Sequence, residues 1–203
     1  MSKAVDFYFD FGSPAAYLAW TQLPKISADC QARMVWKPML LGGVFQATGN
    51  RAPITVPLKG SYLFVDLARF AQRYGVPLRM NPNFPINTLT LMRMAVGLQQ
   101  RQDQRLDDYC SAMFRAIWVD AQNMNDPGVV AAVLTQAGFD PQALLALSSE
   151  PAVKEALKAA TEAAVQRGVF GAPTFFVADQ MFWGQDRLDF VREALANQPE
   201  ETA

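Results

Sequence analysis

Apolar and polar positions alternate in short runs at both ends of this chain and recur at helical spacing through the long stretch between. Residues 4–10 alternate as a strand, residues 14–27 carry apolar side chains at helical intervals, and Arg33 to Met39 reads as a second strand. The opening is therefore a βαβ unit that favours a parallel pair. Gly42 to Pro57 reads as a polar loop with glycine and proline, containing Thr48-Gly49-Asn50-Arg51-Ala52-Pro53. Helical spacing then dominates in segments near 58–74, 87–101, 105–121, 127–137, 140–148 and 151–167. Asp126-Pro127 and Asp140-Pro141 each supply a capping carboxylate followed by proline at the first helical position. Strand signals return at Thr174–Ala178 and, after a turn at Asp179-Gln180, at Met181–Trp183. A last helix is expected from Asp186 to Ala196, with fraying after Asn197. The order βαβ, helices, ββα implies an α/β fold with one sheet interrupted by a helical insertion, because neither end has enough strands to close a core alone.

Composition narrows the chemistry. With 203 residues, half of them apolar, the chain is long enough for one large core or a smaller one with an insertion. A net charge of −1 argues against nucleic acid as the main partner. No apolar run approaches the roughly 18 residues of a bilayer span, and a strand begins almost at the first residue, so a cytoplasmic protein is expected. The two cysteines, Cys30 and Cys110, lie too far apart for a Cys-x-x-Cys pair and lack the neighbours of a zinc site, so no metal is expected. Cys110 falls on a helical apolar face and reads as a small buried hydrophobe.

The turn after the first strand carries the most informative residues. In Phe11-Gly12-Ser13-Pro14 the Ser13 hydroxyl is placed at a helix N-terminus, where free N–H groups and the helix dipole favour an anion. The sequence contains no histidine to serve as base for a nucleophilic serine, and Ser13 reads as a hydrogen-bond donor, with a Ser–Lys arrangement through Lys59 as the alternative. Ser-Pro is also an ordinary helix opening. Gly171-Ala172-Pro173 likewise reads either as a special turn or as a plain loop entering an edge strand.

Taken in order along the chain, four stretches resemble one family. They are Asp6-Phe-Tyr-Phe-Asp-Phe-Gly-Ser-Pro14, Gly49-Asn50 with Lys59 nine residues on, Val169-Phe-Gly-Ala-Pro-Thr-Phe175, and Trp183-Gly-Gln-Asp-Arg187. The chain resembles the thioredoxin fold of the disulfide-oxidoreductase superfamily, whose Cys-Pro-x-Cys motif aligns with Ser13-Pro14-Ala15-Ala16. Both sulfurs are absent, which excludes disulfide exchange. Serine at the first position resembles the glutathione-using branch, kappa-class glutathione transferases and 2-hydroxychromene-2-carboxylate isomerases, and the wording of the motifs leans toward the isomerases. The resemblance implies a thioredoxin-like domain of residues 1–56 and 168–203, with residues 57–167 as a helical insertion domain, and a homodimer.

For the site, the resemblance implies glutathione as cofactor, its sulfur held as an anion by Ser13. Ala172, ahead of a cis-proline at Pro173, would pair with the cysteinyl backbone. Gly184, Gln185 and Asp186 would meet the γ-glutamyl end, and Asn50 and Lys59 the remainder, Lys59 suiting the glycyl carboxylate. Capping by Asp186 and a solvated Lys59 are the plainer alternatives. The implied reaction interconverts 2-hydroxychromene-2-carboxylate and trans-o-hydroxybenzylidenepyruvate in aromatic catabolism, with glutathione regenerated. A kappa-like transferase and a non-catalytic glutathione-binding module are the rival readings. Phe45, Phe84 and Asn87 are the expected contacts to the aromatic substrate. That surface is more apolar than a carboxylated ligand requires; Arg51 and Arg93 could supply charge or be surface residues.

Overall fold

The computed structural model describes residues 3–198. Its four strands are β1 (Ala4–Phe9), β2 (Arg33–Pro38), β3 (Thr174–Val177) and β4 (Gln180–Trp183), arranged in the order β2-β1-β3-β4. β2 runs parallel to β1, whereas β3 is antiparallel to β1 and to β4. The parallel pair needs a crossover, which α1 (Pro14–Asp29) supplies. The antiparallel pair needs only a hairpin, turned at Ala178 and Asp179 with Ala178 at φ 52.

Aromatic residues hold the sheet centre. Phe7 pairs in register with Trp36 on one side and Phe175 on the other. Its ring stacks on Phe175 at 5.5 Å and on Phe9 at 5.3 Å, and Phe9 meets Trp36 edge-on at 5.1 Å. Such pairs add about 0.5–1.5 kcal/mol each beyond area burial. Because β1 has neighbours on both edges and helices on both faces, Val5, Phe7, Tyr8 and Phe9 are all buried, and simple alternation breaks down toward its end.

Between β2 and β3 lie α2 (Leu41–Thr48), α3 (Pro57–Tyr74), α4 (Leu89–Gln100), α5 (Leu106–Trp118), α6 (Pro127–Gln136), α7 (Pro141–Ser149) and α8 (Pro151–Gln166); α9 (Leu188–Ala196) closes the chain. Asp126 and Asp140 cap α6 and α7 as expected, accepting from Gly128 and from Gln142 and Ala143. The expected loop over 42–57 is incorrect in its first half, where α2 stands. Local propensity is poor there, with Gly42 and Gly43 each costing about 1 kcal/mol against alanine. Tertiary contacts override it: Val44 is buried, and the Leu41 N–H is received by the Asp10 carboxylate at 2.8 Å. Fraying after Asn197 concerns residues that, beyond Gln198, lie outside those described.

The insertion and the sheet share one continuous core that runs from Phe7 and Trp36 to Phe114, Leu144 and Leu157. Trp36 Nε1 donates to Asp107 at 2.6 Å, and Gln99 donates to the Trp36 carbonyl at 2.9 Å. Arg167, just past α8, donates to the Asp6 carboxylate, to the Tyr8 hydroxyl and to the Ala178 carbonyl while lying over the Phe176 ring. Cys110 is fully buried, and burial pushes its thiol pKa well up, as its helical position predicts. Among the described residues no helix is long and apolar enough to cross a membrane.

Candidate active site

Ser13 sits where β1 hands over to α1. Its N–H donates to the Asp10 carbonyl at 3.0 Å, closing the turn, and Pro14 takes the first helical position, where a missing N–H costs nothing. The Ser13 hydroxyl accepts from Ala16 N–H at 3.1 Å and donates to the Ala172 carbonyl at 3.0 Å. It is therefore both the cap of α1 and a bridge to the loop before β3. Ser13 is 5% exposed, so the hydroxyl lies at the floor of the site. The Ala15 N–H has no acceptor among the described residues and points from the same helix end.

Beneath the turn lies a residue that sequence reasoning passed over. Asp10 is 2% exposed, and its carboxylate accepts from Gly12 N–H at 2.8 Å, Leu41 N–H at 2.8 Å and the Thr88 hydroxyl at 2.7 Å. All three partners bring a hydrogen, so the arrangement suits the charged form, while burial pushes the pKa the other way, above the ordinary value. One side chain thus ties the Ser13 turn to the starts of α2 and α4. The only sequence signal was a carboxylate inside an otherwise apolar run, Phe9-Asp10-Phe11.

The loop before β3 brings several expected residues together. Ala172–Pro173 is a cis peptide bond, and the Ala172 N–H has no partner among the described residues. The Pro173 carbonyl receives Gly184 N–H at 3.0 Å, so the start of the Gln185–Arg187 turn is anchored beside it. Gly184 has φ 101, a backbone that only glycine adopts freely. Asn50 reaches the same loop, donating to the Phe170 carbonyl at 2.9 Å and accepting from Arg51 N–H at 2.8 Å. Both of its polar side-chain atoms are thereby engaged in bracing the end of α2. Gln185 is buried, with its carbonyl receiving the Tyr74 hydroxyl at 3.0 Å. Burial first, then Asp189 and Asp186, push that tyrosine pKa up to about 12. Asp186 is exposed and paired with Arg187.

Lys59 stands apart from this group, exposed on the first turn of α3 near Tyr62 and Asp66. The expected substrate contacts are also dispersed. Phe45 is half-buried on α2. The Phe84 ring is taken up by Trp118 at 5.7 Å and Phe64 at 6.3 Å. Asn87 accepts from Leu89 N–H at 3.1 Å just ahead of α4 and borders a pocket of about 450 Å³ within the insertion together with Leu91, Met124 and Leu134. The segment carrying both does pass Gly12: a β-carbon there would lie 3.4 Å from Thr88 Cγ2 and 3.9 Å from the Ile86 carbonyl.

Comparison with known proteins bears on what such an arrangement does. Residues 4–196 match the family described as a DSBA-like thioredoxin domain. The 2-hydroxychromene-2-carboxylate isomerase of Pseudomonas putida is 36% identical over 194 residues, covering 94% of this chain and 93% of the relative. Glutathione S-transferase kappa 2 of Caenorhabditis elegans is 28% identical, covering 96% and 92%. A solved 2-hydroxychromene-2-carboxylate isomerase superposes with a TM-score of 0.83 at 34% identity, covering 95% of this chain and 94% of that one.

Proposed function

Because this chain belongs to the DSBA-like thioredoxin family, and within it to the 2-hydroxychromene-2-carboxylate isomerases, we propose that it interconverts 2-hydroxychromene-2-carboxylate and trans-o-hydroxybenzylidenepyruvate with glutathione as cofactor. The isomerase reading rests on the relatives. The observation that carries the cofactor is the Ser13 hydroxyl, set at the N-terminus of α1 and 3.0 Å from the Ala172 carbonyl, in a sequence without histidine. When bound, glutathione supplies a sulfur nucleophile that the protein lacks, since Cys110 is buried and Cys30 lies at the far end of α1.

The residues present fit that group. Ala172 offers an unpartnered N–H and a carbonyl whose one donor is the Ser13 hydroxyl, a pairing edge for one extended residue. Gly184 and the free amides opening the Gln185–Arg187 turn suit a carboxylate, and Asp186 suits an ammonium. Asn50 supports the site indirectly by fixing the loop, and Lys59 would reach a carboxylate only from the edge.

Magnitudes decide what Ser13 contributes. A free cysteine-type thiol has a pKa near 8.5, leaving only a few per cent ionised at neutral pH. The helix end contributes about 0.3–1 kcal/mol, or less than one pKa unit at an exposed site. Turning the hydroxyl from a neutral carbonyl to an anion exchanges a bond worth about 0.5–1.5 kcal/mol for one worth about 1.5–3. The gain is near one further unit, and Asp10 beneath the turn opposes it wherever it is ionised. Ser13 and the helix end must therefore act together.

Ser13→Ala should lower the isomerisation rate about 10- to 100-fold near neutral pH and recover part of it in more alkaline buffer. The measurement is spectrophotometric equilibration of the chromene carboxylate with and without glutathione, with free thiol followed in parallel. Constant thiol during turnover supports the isomerase; steady thiol loss points instead to the kappa-like transferase chemistry that the Caenorhabditis elegans relative's name carries. We also assign the protein to the cytoplasm, where unpaired cysteines such as Cys30 and Cys110 are ordinary, and to a homodimer.

A further inference from the structure

Arg93 is a cation whose side chain has no partner among the described residues. Arg93, in the second turn of α4, has its Nε buried and without any hydrogen bond. Nε has almost no accessible surface, so it is closed to a ligand, and the guanidinium, which makes no ion pair among the described residues, can meet an anion only through its Nη edge. Arg93 lines a cleft of about 500 Å³ between α2, α4 and α8, whose walls include Leu40, Ala47, Leu89, Leu157 and Val165. That volume lies in the usual range for small-molecule sites, about 300–1,000 Å³.

Of the other polar groups of the cleft, the exposed Gln46 side chain has no hydrogen bond among the described residues, whereas Thr161 is matched. The Thr161 hydroxyl accepts from Leu40 N–H at 3.0 Å and donates to the Leu157 carbonyl at 2.8 Å. At the rim Lys158 and Glu162 lie 3.9 Å apart, with well-exposed side chains that cancel in charge. Arg93 is left as the net positive group among apolar walls. Two of its wall residues neighbour, in the chain, the residues that hold Asp10 beneath the Ser13 turn. Leu40 precedes Leu41, and Leu89 follows Thr88, the two residues whose N–H and hydroxyl meet the Asp10 carboxylate, while the Asp10 carbonyl receives Ser13 N–H.

We propose that this cleft receives the carboxylate-bearing aromatic substrate and that Arg93 is its carboxylate anchor. The identity of the substrate rests on the isomerase reading; the chemistry of the cleft does not. A flat apolar body matches the leucine and valine walls, and a guanidinium edge offers two parallel donors to a carboxylate. The charge missing from the expected contacts Phe45, Phe84 and Asn87 is supplied here.

The test measures binding of 2-naphthoate and of its neutral carboxamide, without glutathione, to the wild type and to Arg93→Met, Arg93→Lys and Ala47→Phe, and then KM for the chromene carboxylate. Arg93→Met should bind naphthoate about 10- to 100-fold more weakly, with Arg93→Lys between. Unchanged affinity for the carboxamide would report an intact cleft. Ala47→Phe, which fills the cleft from the exposed side of α2, should weaken both ligands. KM should rise with the naphthoate constant. Equal naphthoate affinity in Arg93→Met and wild type, or none in wild type, overturns the proposal whatever the turnover assay gives. Naphthoate binding through Arg93 in a protein that does not equilibrate the chromene keeps the cleft and removes the isomerase reading.

Discussion

A buried carboxylate three residues from a hydroxyl meant to favour an anion is a costly neighbour, and Asp10 is retained because three donors converge on it. Burial raises its pKa, so the folded chain keeps this proton to higher pH than the unfolded chain does. Its stabilising share is whole below the unfolded value of 3.8 and is lost as pH rises through the folded value. Asp10→Asn abolishes that slope. The variant should lose about 1–3 kcal/mol from a donor facing an amide NH₂, and its deficit should shrink as pH rises above the unfolded value of 3.8. Urea midpoints of both proteins above that value check it; a deficit that widens with pH would contradict the assignment. Ser13 was legible from sequence because a cap and its proline are adjacent, whereas two of the donors to Asp10 come from 31 and 78 residues away. Local patterning carries no trace of such partners.

Most helices and strands whose signals are local fall within a residue or two of expectation: β2, expected over Arg33–Met39, ends at Pro38, and α6 and α7 begin at their Asp-Pro caps, whereas α5, expected over 105–121, ends at Trp118. α2 was missed because its two glycines describe a loop and its helix-forming contacts belong to Asp10 and α8. The same dependence on neighbours governs the seam between α4 and α7. A β-carbon on Gly97 would lie 2.6 Å from Leu147 Cγ, a branch carbon of a buried side chain that has little room to retreat. Alanine is the better helix former by about 1 kcal/mol, but the overlap costs about 1–3. The net loss is up to about 2 kcal/mol, so Gly97→Ala should lower the melting temperature by up to about 8 °C, read by circular dichroism. An unchanged or higher midpoint would mean that α7 shifts freely.

For the whole molecule, the larger core spanning sheet and insertion follows from the half-apolar composition, but the exposed face of α3 does not serve it. Leu58, Tyr62 and Val65, spaced as one helical stripe, are 84%, 63% and 52% exposed. Lys59 and Asp66 flank that stripe two turns apart, so antiparallel packing of two copies about a two-fold axis sets Lys59 of one beside Asp66 of the other. Leu58→Asp should convert the proposed dimer to monomer in sedimentation velocity; a dimeric variant would move the interface elsewhere, and a monomeric wild type would dismiss it. Asp10 has one more consequence at this scale. A trimmed-down chain that kept the sheet, α1 and α9 but discarded residues 57–167 would retain Ser13 while losing Thr88 from the ground beneath it. Such a miniature would carry the right hydroxyl on a footing free to wander, and the helices that look like an appendage are better regarded as the foundation of the reaction chamber.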